Sequence, residues 1–167
     1  TVTNVDFSAD AVKALIDRVH AASAQLGAGA DYDMQQVWNG NEDVRSLKSL
    51  ILFGLRGMAA YAYHARMLGF TDETVDAFFF EGMAAIAVDG GQDELLPVVL
   101  KVGEVNVTCM ALLDKTNTST YGDPTPTDVP FEIEAGPFII VTGHDLKDLE
   151  LLLEQTDGTG VNVYTHG

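Results

Sequence analysis

Apolar residues recur at helical spacing through most of the chain. In four stretches they follow one another every three or four positions, the pattern typical of an amphipathic helix. These stretches cover residues 8–26, 42–68, 72–88 and 92–116. Ser8 and Thr71 stand where N-cap residues are expected, and residues 27–36 are expected to form a loop. The pattern predicts a bundle of about four helices.

The pattern changes after residue 116. The segment NTSTYGDPTPTDVP contains three prolines and many turn-forming residues, which indicates a domain boundary. Next comes PFIIVTG, a continuous apolar run typical of a strand buried on both faces, then the amphipathic segment HDLKDLELLLEQT and a second short strand, VNVYT. This β-α-β order is the unit of a parallel sheet. We therefore predict a mainly α protein with a helical domain over residues 1–122 and an incomplete Rossmann-like α/β domain over residues 123–167.

Two features inside the predicted helices favour packing roles over ligand binding. Gly54 and Gly57 each cost about 1 kcal/mol relative to alanine in a helix interior, so we expect another backbone to approach closely there. The run from Phe78 to Phe80 is interpreted as core and not as a cofactor-binding box.

Cysteine content limits the chemistry of the chain. Cys109 is the only cysteine, which excludes an internal disulfide, a CxxC metal site and a four-cysteine iron–sulfur site built from this chain alone. Its place on the apolar side of a helix predicts a buried, unreactive thiol. A reducing compartment, the cytoplasm, is expected.

Charge is strongly negative. Nine basic residues against 25 acidic ones give a net charge of −16, which argues against nucleic acid and anionic membranes as partners. No uninterrupted apolar run reaches the length of a membrane span. Residues 123–167 have nearly three times the charge density of the preceding part, and two strands alone do not make a stable sheet. We therefore expect a fragment of a longer protein, whose open sheet edge could pair two copies in a non-native dimer.

Two histidines mark a candidate site. His144 ends the first predicted strand and His166 directly follows the second, and ligands bind at the carboxyl ends of strands in open parallel sheets. An imidazole at that edge suits a metal ion. The alternative is that His144 caps the following helix or bonds to the loop. His20 and His64, on helices, are interpreted as surface residues or as hydrogen-bonded core residues.

Three segments resemble one known family. They are NEDVRSLKSLILFGLRGMAAYAYHARMLGF, LLDKTNTSTYGDPTPTDV and TGHDLKDLELLLEQTDGTGVNVYTHG, and together they lie within residues 41–167. These segments resemble the hybrid cluster protein family, also called prismane protein or hydroxylamine reductase, and not the carbon monoxide dehydrogenases that share its architecture. Residues 1–40 are interpreted as a divergent stretch that precedes these segments and that the resemblance does not cover.

The resemblance implies a helical domain followed by two Rossmann-like domains. It also implies a conventional iron–sulfur cluster and a hybrid iron–sulfur–oxygen cluster held by one His, two Glu and four Cys. The histidine of the family's GHDL motif is a cluster ligand, which carries over to His144. The first glutamate ligand of the family directly follows its YTHG motif, which here ends at Gly167. The cysteine motifs of the family are missing from this chain.

The implied parent protein is a cytoplasmic oxidoreductase that reduces hydroxylamine to ammonia or acts on nitric oxide-type species. Its partners would be the remainder of the polypeptide and an electron donor protein. With at most His144 of the seven ligands, the chain alone is expected to hold no cofactor and no complete catalytic site, and so to be inactive. The alternative is a non-enzymatic helical scaffold or interaction module.

Overall fold

The protein is mainly α-helical, as predicted, with a short parallel sheet. The computed structural model describes residues 8–27, 33–143 and 145–166. The helices are α1 (Ala9–Gln25), α2 (Gln35–Trp38), α3 (Glu42–Met67), α4 (Glu73–Ala87), α5 (Gln92–Tyr121) and α6 (Leu146–Thr156). The strands are β1 (Phe138–Thr142) and β2 (Asn162–His166), which pair in parallel.

Side-chain hydrogen bonds at the starts of the helices show which of the predicted N-caps are correct. Ser8 caps α1 as predicted, since its hydroxyl accepts a hydrogen bond from the Ala11 amide at 3.1 Å. The predicted cap of α4 at Thr71 is wrong, because Asp72 accepts from the amides of Thr74 and Val75. Inside the predicted 27–36 loop, Asp33 accepts from the Gln35 amide and starts the single turn of α2.

Helix α5 is five residues longer than predicted. The polar residues that suggested a loop lie inside the helix, where the hydroxyls of Thr118 and Thr120 donate to carbonyl oxygens one turn back. The helix ends before Gly122, whose φ of +86° suits glycine. The predicted domain boundary at residue 122 stays a prediction, although it coincides with this helix end.

The chain divides into two compact units. Unit 1 comprises residues 1–57 and 77–104, and unit 2 comprises residues 58–76 and 105–167, so α3, α4 and α5 each contribute to both. The buried apolar side chains of unit 1 are Val37, Ile51, Leu55, Phe78, Ile86, Leu95 and Val102. In unit 2 the buried apolar side chains are Met58, Ala65, Val75, Val105 and Cys109.

The thiol of Cys109 is buried, as predicted. It is 0% exposed, and its Sγ lies 3.5 Å from the Met58 carbonyl oxygen within unit 2. Burial raises the pKa of the Cys109 thiol and so favours its neutral form. Cys109 therefore acts as a small core residue.

Several predicted core positions are exposed. Phe78 is core, as predicted, but Phe80 is 80% exposed, so that prediction is wrong for Phe80. Helix α1 has no buried residue, although its apolar positions keep the expected spacing. Strand β1 was predicted to be buried on both faces, whereas its residues alternate between half-buried and exposed. Within the described residues, one face of β1 has no covering layer.

Among the described residues, α5 is long and apolar enough, by length and composition, to cross a membrane, at a mean hydropathy of 1.6. Charged residues such as Lys101 and Glu104 interrupt its apolar positions, so it contains no uninterrupted apolar run of that length. Core helices of soluble proteins pass the same test, so one such helix is weak evidence for a membrane span.

The two glycines of α3 differ in their surroundings. A Cβ added at Gly54 would lie 2.5 Å from Cγ1 of Val102, whereas one added at Gly57 would meet no atom within 4 Å. The predicted close approach is thus found at Gly54, where the neighbour is a side chain and not a backbone. At Gly57 the prediction is wrong.

We predict that Gly57→Ala stabilises the protein by about 1 kcal/mol, the difference in helix propensity. Gly54→Ala gains the same propensity but must displace Val102, whose branched side chain is stiff, at a cost of about 1–3 kcal/mol. Urea denaturation followed by circular dichroism compares the two variants. Gly54→Ala should be the less stable of the two. When both substitutions are made in a Val102→Ala background, the difference in stability between them should be smaller. Equal stabilities would contradict the packing role of Gly54.

Candidate active site edge at the parallel sheet

Parallel pairing brings the carboxyl ends of the two strands together. In the register of β1 and β2, Phe138 lies opposite Asn162 and Thr142 lies opposite His166. The two strands are therefore neighbours, as predicted, and their carboxyl ends lie at the same edge of the sheet. His144 follows Thr142 by two residues in the chain, but it lies outside the described residues, and its role as a ligand stays a prediction.

The start of α6 lies directly after this edge. Gly143 has a φ of +78°, and Asp145 caps α6 by accepting a hydrogen bond from the Lys147 amide at 3.0 Å. Asp145 also starts the helical ladder, because its carbonyl oxygen accepts from the Leu149 amide. The alternative in which His144 caps α6 is wrong, since Asp145 is the cap. Only residues 143 and 144 separate the last residue of β1 from the cap residue Asp145.

His64 of α3 faces this cap. Its Nε2 lies 3.9 Å from Oδ2 of Asp145, and the two side chains are only 16% and 12% exposed. The Nε2 atom is buried and has no hydrogen-bond partner among the described residues. The interpretation of His64 as a surface residue is therefore wrong, while its interpretation as a hydrogen-bonded core residue stays a prediction, with no partner for Nε2 among the described residues. No local pattern in the sequence could have found this contact, because the two residues are far apart in the chain.

A second carboxyl group lies close to the pair. The pKa of Asp148 is raised, first by burial and then by the negative charge of Asp145, while His64 acts in the opposite direction. Asp145, Asp148 and His64 thus form a partly buried cluster of titratable groups at the start of α6.

The start of α6 is also hydrogen-bonded to the end of α5. The hydroxyl of Tyr121 donates to Oε2 of Glu150 at 3.0 Å, and Nζ of Lys147 donates to the same oxygen at 2.7 Å. Lys147 and then Tyr121 lower the pKa of Glu150. Burial and the bonded carboxylate of Glu150 raise the pKa of Tyr121 to about 12. These contacts fix α6 at its first two turns.

The described residues do not fit a complete iron–sulfur cluster. Among them, no group of three His, Cys, Asp or Glu side chains is placed to hold a metal ion. Cys109 is buried in the core of unit 2 beside a carbonyl oxygen. The described residues alone therefore provide no complete ligand set for such a cluster.

The whole chain matches a known family. Residues 1–167 align with the Prismane/CO dehydrogenase family. The chain belongs to this family. The resemblance to prismane proteins is thereby confirmed.

Curated relatives in the Prismane/CO dehydrogenase family are named hydroxylamine reductase. The chain is 40% identical to that of Maridesulfovibrio salexigens over 188 positions, which cover 100% of this chain and 35% of the relative. It is 53% identical to that of Methanosarcina mazei over 128 positions, or 76% of this chain and 24% of the relative. It is 39% identical to that of Porphyromonas gingivalis over 193 positions, covering 100% and 35%.

The chain spans about a quarter to a third of the length of these curated relatives. The alignments that cover the whole chain run over 188 and 193 positions, more than its 167 residues. These relatives therefore carry residues within the matched region that this chain lacks.

We predict that Tyr121 ionises near pH 12 and that Glu150→Gln lowers this pKa, because it removes the repelling carboxylate. The raised pKa means that the contribution of Tyr121 to stability is present below its ordinary value of 10 and is lost as the pH rises through about 12. A phenolate absorbance titration, with Tyr121→Phe to assign the transition, measures both effects. An unchanged titration in Glu150→Gln would contradict the contact.

Proposed function

We propose that this chain is part of an oxidoreductase that reduces hydroxylamine to ammonia and water with two electrons and two protons. The observation that carries the proposal is the parallel pairing of β1 and β2, which puts the carboxyl ends of both strands at one edge. The chain also belongs to a family whose curated relatives are named hydroxylamine reductase. Nitric oxide-type species are alternative substrates of the same kind of chemistry.

The role we assign to this chain is to present one metal ligand from the sheet edge. His144 is the proposed ligand, because it stands between β1 and the Asp145 cap of α6. An imidazole ligand is usually oriented by what surrounds it, and here a capped helix follows it directly. The hybrid iron–sulfur–oxygen cluster, when bound, would supply the electrons.

The remaining ligands would come from the rest of the parent polypeptide, which is the first partner that we propose. An electron donor protein is the second. The net charge of −16 favours a donor with a basic docking face, since opposite charges steer association. The family's redox chemistry with thiolate ligands suits a cytoplasmic location.

We further propose that the isolated chain holds no cluster and is inactive. The described residues contain no group of three ligand side chains, and Cys109 is a core residue. A polynuclear iron cluster needs several side chains to hold it. The isolated chain would then be a helical scaffold in its own right.

The test compares the whole protein with variants, all purified without oxygen. We expect His144→Ala to lose most of its hybrid-cluster iron and at least about a hundredfold in hydroxylamine-dependent oxidation of a reduced dye. His20→Ala, on α1, is the matched control and should keep both. Full iron content and activity in His144→Ala would refute the ligand role. Several irons per isolated chain would refute the proposal that the chain alone holds no cluster.

A further inference from the structure

His64 has a buried imidazole nitrogen without a hydrogen-bond partner among the described residues. Burying such a polar atom costs free energy, so its placement needs an explanation. The Nε2 atom lies 3.9 Å from Oδ2 of Asp145, which is within ion-pair distance and beyond hydrogen-bond distance.

The Asp145 carboxylate has two separate tasks. Its Oδ1 accepts the hydrogen bond from the Lys147 amide and caps α6, while its Oδ2 faces His64. A hydrogen bond from Nε2 of His64 to Oδ2, which would have to close the 3.9 Å gap, would leave the carboxylate less freedom to rotate away from the helix end than the cap bond at Oδ1 alone. His64 itself lies on α3, a helix of 26 residues, and is therefore attached to a long regular element.

We propose that His64 is a positioning residue, which holds the Asp145 cap and so fixes the start of α6 at the carboxyl edge of the sheet. The proposal deepens the proposed function, because the residue before the cap is the proposed ligand His144. A histidine on α3 thus acts on the sheet edge through Asp145, without itself binding metal or substrate.

Two variants of His64 separate positioning from simple packing. His64→Leu fills the space but cannot bond to Asp145, whereas His64→Gln keeps a nitrogen donor at a similar distance from the backbone. Arg66→Gln is the control, because Arg66 lies on the same helix and pairs with Asp76, not with Asp145.

The experiment uses the whole protein and has two readouts. The first is hydrogen exchange of the Lys147 amide, which reports the cap directly. The second is the reduction potential of the bound cluster, which reports on the ligand next to the cap. We expect His64→Leu to speed exchange at Lys147 by about fivefold, the size of a lost capping contact, and to shift the potential. His64→Gln should restore both readouts, and Arg66→Gln should change neither.

Exchange at Lys147 that is unchanged in His64→Leu would overturn the proposal. The proposal would also be overturned if His64→Leu shifted the reduction potential without changing exchange at Lys147. The same holds if it sped exchange at Lys147 without shifting the reduction potential. Failure of His64→Gln to restore either readout would reduce His64 to a packing residue and also overturn it. A whole protein that holds no cluster would refute the proposed function instead, and exchange at Lys147 would still decide whether His64 holds the cap.

Discussion

The parallel pairing of β1 and β2 is the constraint on which the site depends. Two parallel strands joined by a helix must end at the same edge, so the residues after β1 and the last residues of β2 are brought together by topology. Gly143, with its positive φ, follows β1 directly, and only residues 143 and 144 separate the strand from the Asp145 cap of α6.

Residues of α3 and of α5 contact the start of α6, which follows this edge. His64 on α3 faces the Asp145 cap, and Tyr121 at the end of α5 bonds to Glu150 on α6. The only cysteine has no part in this, since its thiol is packed in the core. The chain thus combines a mostly apolar helical framework with one polar edge, and the chemistry proposed for the parent protein needs ligands from elsewhere in that protein.

Sequence periodicity was sufficient for the helices and the β-α-β order, because both depend on local pattern. It failed at the end of α5, where threonines that are typical of turns lie inside the helix, with their hydroxyls donating to carbonyl oxygens one turn back. It also failed where the neighbours of an element or distant contacts decide. Strand β1 looks buried on both faces in sequence, but that pattern does not tell which neighbours are present. The His64–Asp145 contact joins residues 81 positions apart, and no spacing rule predicts it.

We propose that His144, at the sheet edge of this chain, is a metal ligand in the whole protein. Diffraction data from crystals of the whole protein, collected on both sides of the iron absorption edge, would test it most directly. We predict an anomalous iron peak at bonding distance from the His144 imidazole and none beside Cys109. An iron site that avoids His144 would contradict the claim, whatever the activity of the protein.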